Sequence, residues 1–248
     1  MGIDNLSTGK IENIEKIKND IEFLEHDLKE FPPFWFMGKD IDAICHQAAS
    51  CNVPKSMKSP GEYFRNNVAN THSILMQAKL AGIKRVVIAS SSTANEFISP
   101  YGMSKKIIEQ YSAFYNNLYG MNIVNLRYFN VYGPRQSMDS EYSMVIPIFI
   151  NKMLKGEQPT IFGDGKQSRD FVYVDDVVDA NIAAIENDFN GVVSIGSGEP
   201  TKILDLFHII SNLINLSVGI EQELPLFSGK RPGDVLHTKA NIINDVGV

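Results

Sequence analysis

The sequence predicts an α/β fold: a Rossmann-like parallel sheet carrying a smaller C-terminal substrate domain. Three observations predict it. Residues 86–89, Val-Val-Ile-Ala, form an unbroken apolar run, the pattern of a strand buried on both faces. Runs of that kind alternate with stretches of helical period. They also end in small or polar residues, Ala48, Ser91 and Asn130, at the strand ends where ligands bind in parallel sheets.

The elements follow in order. Ile11, Ile14, Ile17, Ile21, Leu24 and Leu28 have helical spacing, although 21–24 reads equally as a short strand. Prolines and aromatics break the chain at 31–36. A short strand at 41–45 runs into His46-Gln47-Ala48-Ala49, where small residues let another molecule approach the backbone. Residues 67–80 read as a helix ended by Gly82. The strand at 86–89 leads into Ser90-Ser91-Ser92-Thr93. A helix from 101 to about 119 stops at Gly120. Residues 123–129 are the next strand. After Gly133-Pro134-Arg135 the pattern loosens into helices and loops. The expected division is therefore an incomplete Rossmann-like domain over 1–134 and a smaller second domain over 135–248, with 170–200 returning to the sheet.

The chain has 248 residues, 44% hydrophobic and 21% charged, enough for a real core. A net charge of −6 argues against a nucleic-acid or anionic-membrane surface. No apolar run reaches membrane-spanning length, and the start Met-Gly-Ile-Asp-Asn does not read as a signal peptide. Cys45 and Cys51 match no zinc or redox spacing, and two cysteines suit a reducing compartment. The expectation is a cytoplasmic protein without a bound metal.

Tyr101 and Lys105 stand four apart just after Pro100, where a helix starts, so both side chains share one helix face. A phenol titrates near ~10 and is a poor base at neutral pH. A neighbouring ammonium favours the phenolate. The pair is thus a proton-transfer device, provided that a hydroxyl-bearing substrate and a hydride acceptor lie beside it.

Four pieces accompany that pair: the serine cluster at 90–92, the run Arg127-Tyr128-Phe129-Asn130-Val131-Tyr132-Gly133-Pro134-Arg135, Gly163-Asp164-Gly165, and Arg169-Asp170-Phe171-Val172-Tyr173-Val174-Asp175-Asp176. Together with Tyr101 and Lys105 they resemble the NAD-dependent epimerase/dehydratase family, the extended short-chain dehydrogenase/reductases. His46-Gln47-Ala48-Ala49 followed by Val53-Pro54-Lys55-Ser56 is similar to the UDP-N-acetylglucosamine 4-epimerase branch.

The resemblance implies a tightly held NAD and a UDP-sugar substrate. Tyr101 would take the proton from the sugar 4-hydroxyl as hydride leaves carbon 4. Lys105 would bind the nicotinamide ribose and help to lower the tyrosine pKa. Ser91 would hydrogen-bond the same sugar oxygen. Asp4 and Asn5 would meet the adenosine ribose, Asp27 and Leu28 the adenine, Ala48 and Ala49 the cofactor wall, with Asn67 and Tyr128 nearby. Asn130, Arg169 and Arg231 would contact the UDP diphosphate, Val145 the nucleotide base, and Asp234 the ribose hydroxyls. Ser92 and Thr93 occupy the place where dehydratases carry an acid/base pair, which favours epimerisation over dehydration. Thr238 falls where a small residue leaves room for an N-acetyl group. The family also pairs two helices per chain into a four-helix bundle, here those carrying Asn67 and Tyr101, giving a homodimer or heterodimer.

The sequence departs from that pattern at three places. It starts at the end of what should be the second strand, so the first strand and its glycine-rich turn are absent. Ser91 and Tyr101 are separated only by a short loop that includes Ala94-Asn95-Glu96-Phe97-Ile98. The end follows soon after Arg231-Pro232-Gly233-Asp234. The expectation is therefore weak, sub-stoichiometric NAD binding. Two alternatives to an active epimerase stand beside it: a catalytically impaired remnant or partner subunit of an intact homologue, and another nucleotide-sugar dehydratase or decarboxylase.

Overall fold

A computed structural model describes residues 1–137, 144–230 and 235–241. In chain order the strands are β1 (Gly2–Asp4), β2 (Phe23–Glu25), β3 (Ala43–His46), β4 (Arg85–Ser91), β5 (Asn122–Tyr128), β6 (Asn130–Tyr132), β7 (Thr160–Phe162), β8 (Ser168–Tyr173), β9 (Gly191–Ile195), β10 (Pro200–Lys202) and β11 (Leu226–Ser228). The helices are α1 (Val53–Lys58), α2 (Pro60–Tyr63), α3 (Asn70–Leu80), α4 (Pro100–Tyr119), α5 (Val145–Leu154), α6 (Val174–Glu186) and α7 (Ile203–Val218).

The centre is a four-stranded parallel sheet in the order β3-β4-β5-β9. β4 is buried along its whole length, as its apolar run requires. Alternate side chains leave opposite faces of a strand. Val86 and Ile88 accordingly join Leu75, Ile108 and Ile123 in the core under α3 and α4, while Val87 joins Val124, Leu126 and Ala184 under α6. Fully burying each such valine or isoleucine contributes about 1.5–3 kcal/mol. The sheet is thus covered on both faces, and the ends of its strands are left for ligands. A second core, Phe149, Met153, Ile161, Phe207, Ile210 and Ile214, joins α5, β7 and α7. β6, β8 and β10 form a three-stranded sheet, and β7 pairs with β11. No described helix is long and apolar enough to cross a membrane.

Three expectations are revised. Helical spacing at 11–28 yields only a 3-10 turn at Ile11–Ile14, and β2 pairs in parallel with β1, Ile3 opposite Leu24. Ile11 and Ile17 stay exposed, so that stripe has nothing to bury against and the strand pairing prevails. The helix expected from 67 begins as a π-helical turn, Phe64–Ala69, and α3 proper starts at Asn70. The C-terminal part holds more strands than its loose pattern indicated. β1 and β2 form a sheet of their own, apart from the four-stranded sheet.

Candidate active site

α4 starts at a complete N-terminal cap. Ser99 Oγ accepts from the Gly102 N–H at 3.1 Å, and Pro100 opens the first turn. Gly102 also makes the site possible, since a Cβ there would lie 2.5 Å from the Thr93 carbonyl. The first turn of α4 therefore lies directly on the segment leaving β4. That contact brings Ser91 and Tyr101 together across the short loop, close enough for the Ser91 hydroxyl to favour the Tyr101 phenolate. Ser91 Oγ lies 2.9 Å from Thr93 Oγ1.

One turn along α4, Lys105 is buried and its Nζ donates to the Ala89 carbonyl at 2.6 Å. Burial pulls its pKa down to about 8, against the opposing charges of Cys51 and Glu109. Burial likewise pushes the Tyr101 phenol up, with Cys51 adding to the rise and the Ser91 hydroxyl opposing it. Lys105 is not among the groups that shift Tyr101 here: its ammonium is turned to the Ala89 carbonyl, and burial dominates. His46, at the end of β3, lies 2.8 Å from Thr71 Oγ1 through Nε2, and burial with the nearby Lys105 charge lowers it to about 4.

Asn67 is held in the π-helical turn, a deformation frequent at functional sites. Its carboxamide is spent within the protein: Oδ1 accepts from Ser50 N at 2.8 Å, and Nδ2 donates to Ser50 O at 2.9 Å and Ser104 Oγ at 3.0 Å. Asn67 thus pins the segment after Ala48 and Ala49 to the helix of Tyr101. Tyr128 turns to the other face of the sheet, where its hydroxyl meets Gln47 and Asn181 at 3.0 Å each.

Elsewhere, Asp4 Oδ1 accepts from Leu6 N at 2.6 Å, and Asn5 Nδ2 donates to Asp27 Oδ2 at 3.0 Å. The ends of β1 and β2 are thereby joined. Asp27 also caps a 3-10 turn through Lys29 N, and Leu28 packs on the core beneath α3. A cavity of about 310 Å³ is lined by Ser92, Arg127, Phe129, His237 and Thr238, among others. Thr238 Oγ1 accepts from Asp170 N at 3.2 Å, and Arg169 donates to the Ser168 carbonyl at 2.9 Å. Asn130 begins β6 and Val145 begins α5. Arg231 and Asp234 lie outside the described residues. A larger cavity, about 830 Å³, opens at the opposite end of the sheet, at the start of β4 and β5. Arg85 lines it but is bound to the carbonyls of Ile185, Asn122 and Phe189, a structural role.

Sequence reasoning missed three residues: Cys51, whose thiol is close enough to shift both Tyr101 and Lys105; Asn181; and Asp170. Cys51 and Asn181 belong to no quoted motif, and Asp170 stands in the 169–176 run without a role assigned to it.

The model of the NAD dependent epimerase/dehydratase family matches residues 1–196. The chain belongs to that family. A protein of Methanocaldococcus jannaschii, provisionally named a UDP-glucose 4-epimerase, is 41% identical over 94% of this chain and 78% of its own length. The UDP-N-acetylglucosamine 4-epimerase of Methanobrevibacter ruminantium, solved with UDP-N-acetylmuramic acid, superposes with a TM-score of 0.89 at 38% identity, covering 98% of this chain and 81% of its own. The UDP-glucose 4-epimerase of Thermus thermophilus, solved with NAD, gives 0.81 at 28% identity, covering 97% and 82%.

The family implies a nicotinamide dinucleotide, and the donor set suits both ends of one. Lys105 and Tyr101 offer a cation and a hydroxyl near the end of β4, and Ala48 is exposed just beyond the end of β3. At the other end, the Asp4 carboxylate closing β1 suits ribose hydroxyls.

Proposed function

We propose that this chain is a nucleotide-sugar 4-epimerase of the UDP-N-acetylglucosamine or UDP-glucose type, working with tightly bound NAD through Ser91, Tyr101 and Lys105. The observation that carries the reading is the placement of Ser91 beside Tyr101 at the start of α4, with Lys105 one turn away and bonded to the Ala89 carbonyl, at the carboxyl end of the central sheet. NAD, when bound, would supply the hydride acceptor that the reaction at carbon 4 needs. Lys105 and Asp4 would hold its two riboses. Tyr101 takes the proton from the 4-hydroxyl, and Ser91 hydrogen-bonds the same oxygen and relays that proton. A phenol pushed up by burial needs added positive charge to act as a base, and Lys105 is placed to provide part of it once it leaves Ala89. Arg169, Arg231 and Asn130 take the diphosphate, Val145 the base and Asp234 the nucleotide ribose. Ser92 and Thr93 are neither acid nor base at neutral pH, which favours epimerisation over dehydration.

A dimer is the second part of the reading. Met76 and Leu80 on α3, and Tyr111, Phe114 and Leu118 on α4, stay 38–59% exposed. Apolar side chains clustered on two neighbouring helices mark an interaction face, here a four-helix bundle with a second copy or a homologue. A cytoplasmic location suits a nucleotide-sugar substrate.

Incubation of the protein with NAD and UDP-N-acetylglucosamine tests the reaction. Appearance of UDP-N-acetylgalactosamine supports it; a protein that binds both ligands and forms no epimer refutes it.

A further inference from the structure

Asp170, in β8, is completely buried, and among the described residues no cation pairs with it. A buried carboxylate is tolerable only when its oxygens are saturated by donors. Here four donors do so. Ser197 N and Ser197 Oγ each reach Oδ1 at 2.7 Å, while Gly198 N and Ala240 N reach Oδ2 at 2.9 and 2.8 Å. The donors come from two stretches far apart in sequence, the turn after β9 and the segment 236–241. Gly196 is what lets both approach one carboxylate, because a Cβ there would lie 2.6 Å from that of Ala240 and 3.0 Å from Asp170 Oδ2.

The segment so held is one wall of the 310 Å³ cavity. His237, Thr238, Lys239 and Asn241 face it, opposite Ser92 and Phe129. Asp170 grips Thr238 from both sides: its own N–H donates to Thr238 Oγ1, and its carboxylate binds Ala240 two residues on. The width of the cavity at Thr238 is therefore set by a side chain that does not line it.

We propose that Asp170 is a positioning residue that clamps the 238–240 segment and thereby determines which substituent on the sugar ring the cavity accepts. This rests on the reading of Thr238 as the residue facing an N-acetyl group. Replacing the carboxylate by a carboxamide sets an NH₂ donor against donors. The wall then loosens while the Ser91–Tyr101–Lys105 cluster, held by α4 and β4, stays in place.

The test uses Asp170→Asn and the milder Ser197→Ala in the full chain. Amide exchange across 235–241 is expected to rise about tenfold in Asp170→Asn, the loss of one hydrogen-bonded anchor, with α4 unaffected. By calorimetry, the ratio of Kd for UDP-N-acetylglucosamine to Kd for UDP-glucose is expected to shift by about tenfold in Asp170→Asn and in the same direction, less far, in Ser197→Ala. A ratio unchanged in both variants overturns the proposal, as does exchange that accelerates equally in α4. A shifted ratio in a protein without turnover removes the epimerase reading and leaves the positioning role standing.

Discussion

Asn67 Nδ2 donates to Ser104 Oγ at 3.0 Å, and that hydroxyl in turn donates to the main-chain carbonyl of Tyr101 at 2.7 Å. The π-helical turn before α3 is thus linked to the residue that does the proposed chemistry. Asn67→Leu would leave Ser50 N–H and C=O without their partner in a buried place. The expected cost is about 2–3 kcal/mol, read as a lower urea midpoint at unchanged m-value.

Glu109 and Arg127 form a two-pronged ion pair at 2.6 and 2.7 Å between α4 and β5, with Ser90 Oγ adding a third bond at 2.7 Å. Glu109 is 4% exposed, so removing Arg127 leaves its buried carboxylate with Ser90 and with Lys106 at 3.5 Å in place of a two-pronged partner. Glu109→Ala is expected to lose about 3–5 kcal/mol, and replacing both partners by methionine to recover most of it. A double-mutant cycle in chemical denaturation checks this.

His46 predicts an acid limb. Its folded pKa of about 4 lies below the ordinary 6.5, so the unfolded state binds more protons between those values. Stability from this group is present above pH 6.5 and is lost as pH falls to 4, by roughly 3 kcal/mol. Melting curves across that window should flatten in His46→Gln, which cannot take the charge.

Lys105 has a consequence of the same sign at alkaline pH. Burial lowers it from 10.5 to about 8, so the unfolded state again holds more protons between pH 8 and 10.5, and stability rises with pH through that window. At pH 7 the folded chain carries the full cost of the buried ammonium. Lys105→Met is expected to be more stable by roughly 2–3 kcal/mol at pH 7 and inactive, with the gain vanishing above pH 10.

Thr238→Tyr tests the substrate pocket. Filling the cavity at this wall is expected to reduce turnover of UDP-N-acetylglucosamine at least about tenfold more than that of UDP-glucose, the scale of a few lost or clashing groups. Equal losses on the two sugars count against Thr238 as the N-acetyl determinant.

The site was legible where its determinants are local. Tyr101 and Lys105 share a helix face after a proline, so their pairing follows from spacing, while Ser91, which closes an apolar run, was joined to them only by the family resemblance. Asp170 was not legible as an anchor, because its donors at 197, 198 and 240 meet it only in the folded chain. The same physics separates the well-read elements from the rest. β4, α4 and β5 carry long apolar runs or a capped helical period. β2 owes its existence to pairing with β1, and three-residue strands such as β6 and β7 are too short to show a period.

The central claim concerns one proton. Tyr101→Phe keeps the ring and its packing against Tyr63 and removes only the hydroxyl. The most direct measurement compares its rate with that of the parent chain in converting UDP-N-acetylglucosamine to UDP-N-acetylgalactosamine, at matched NAD occupancy and folded content. The account predicts at least about a 10²-fold loss, the scale of a positioned acid/base group. Epimerisation at the parent rate by Tyr101→Phe would contradict it.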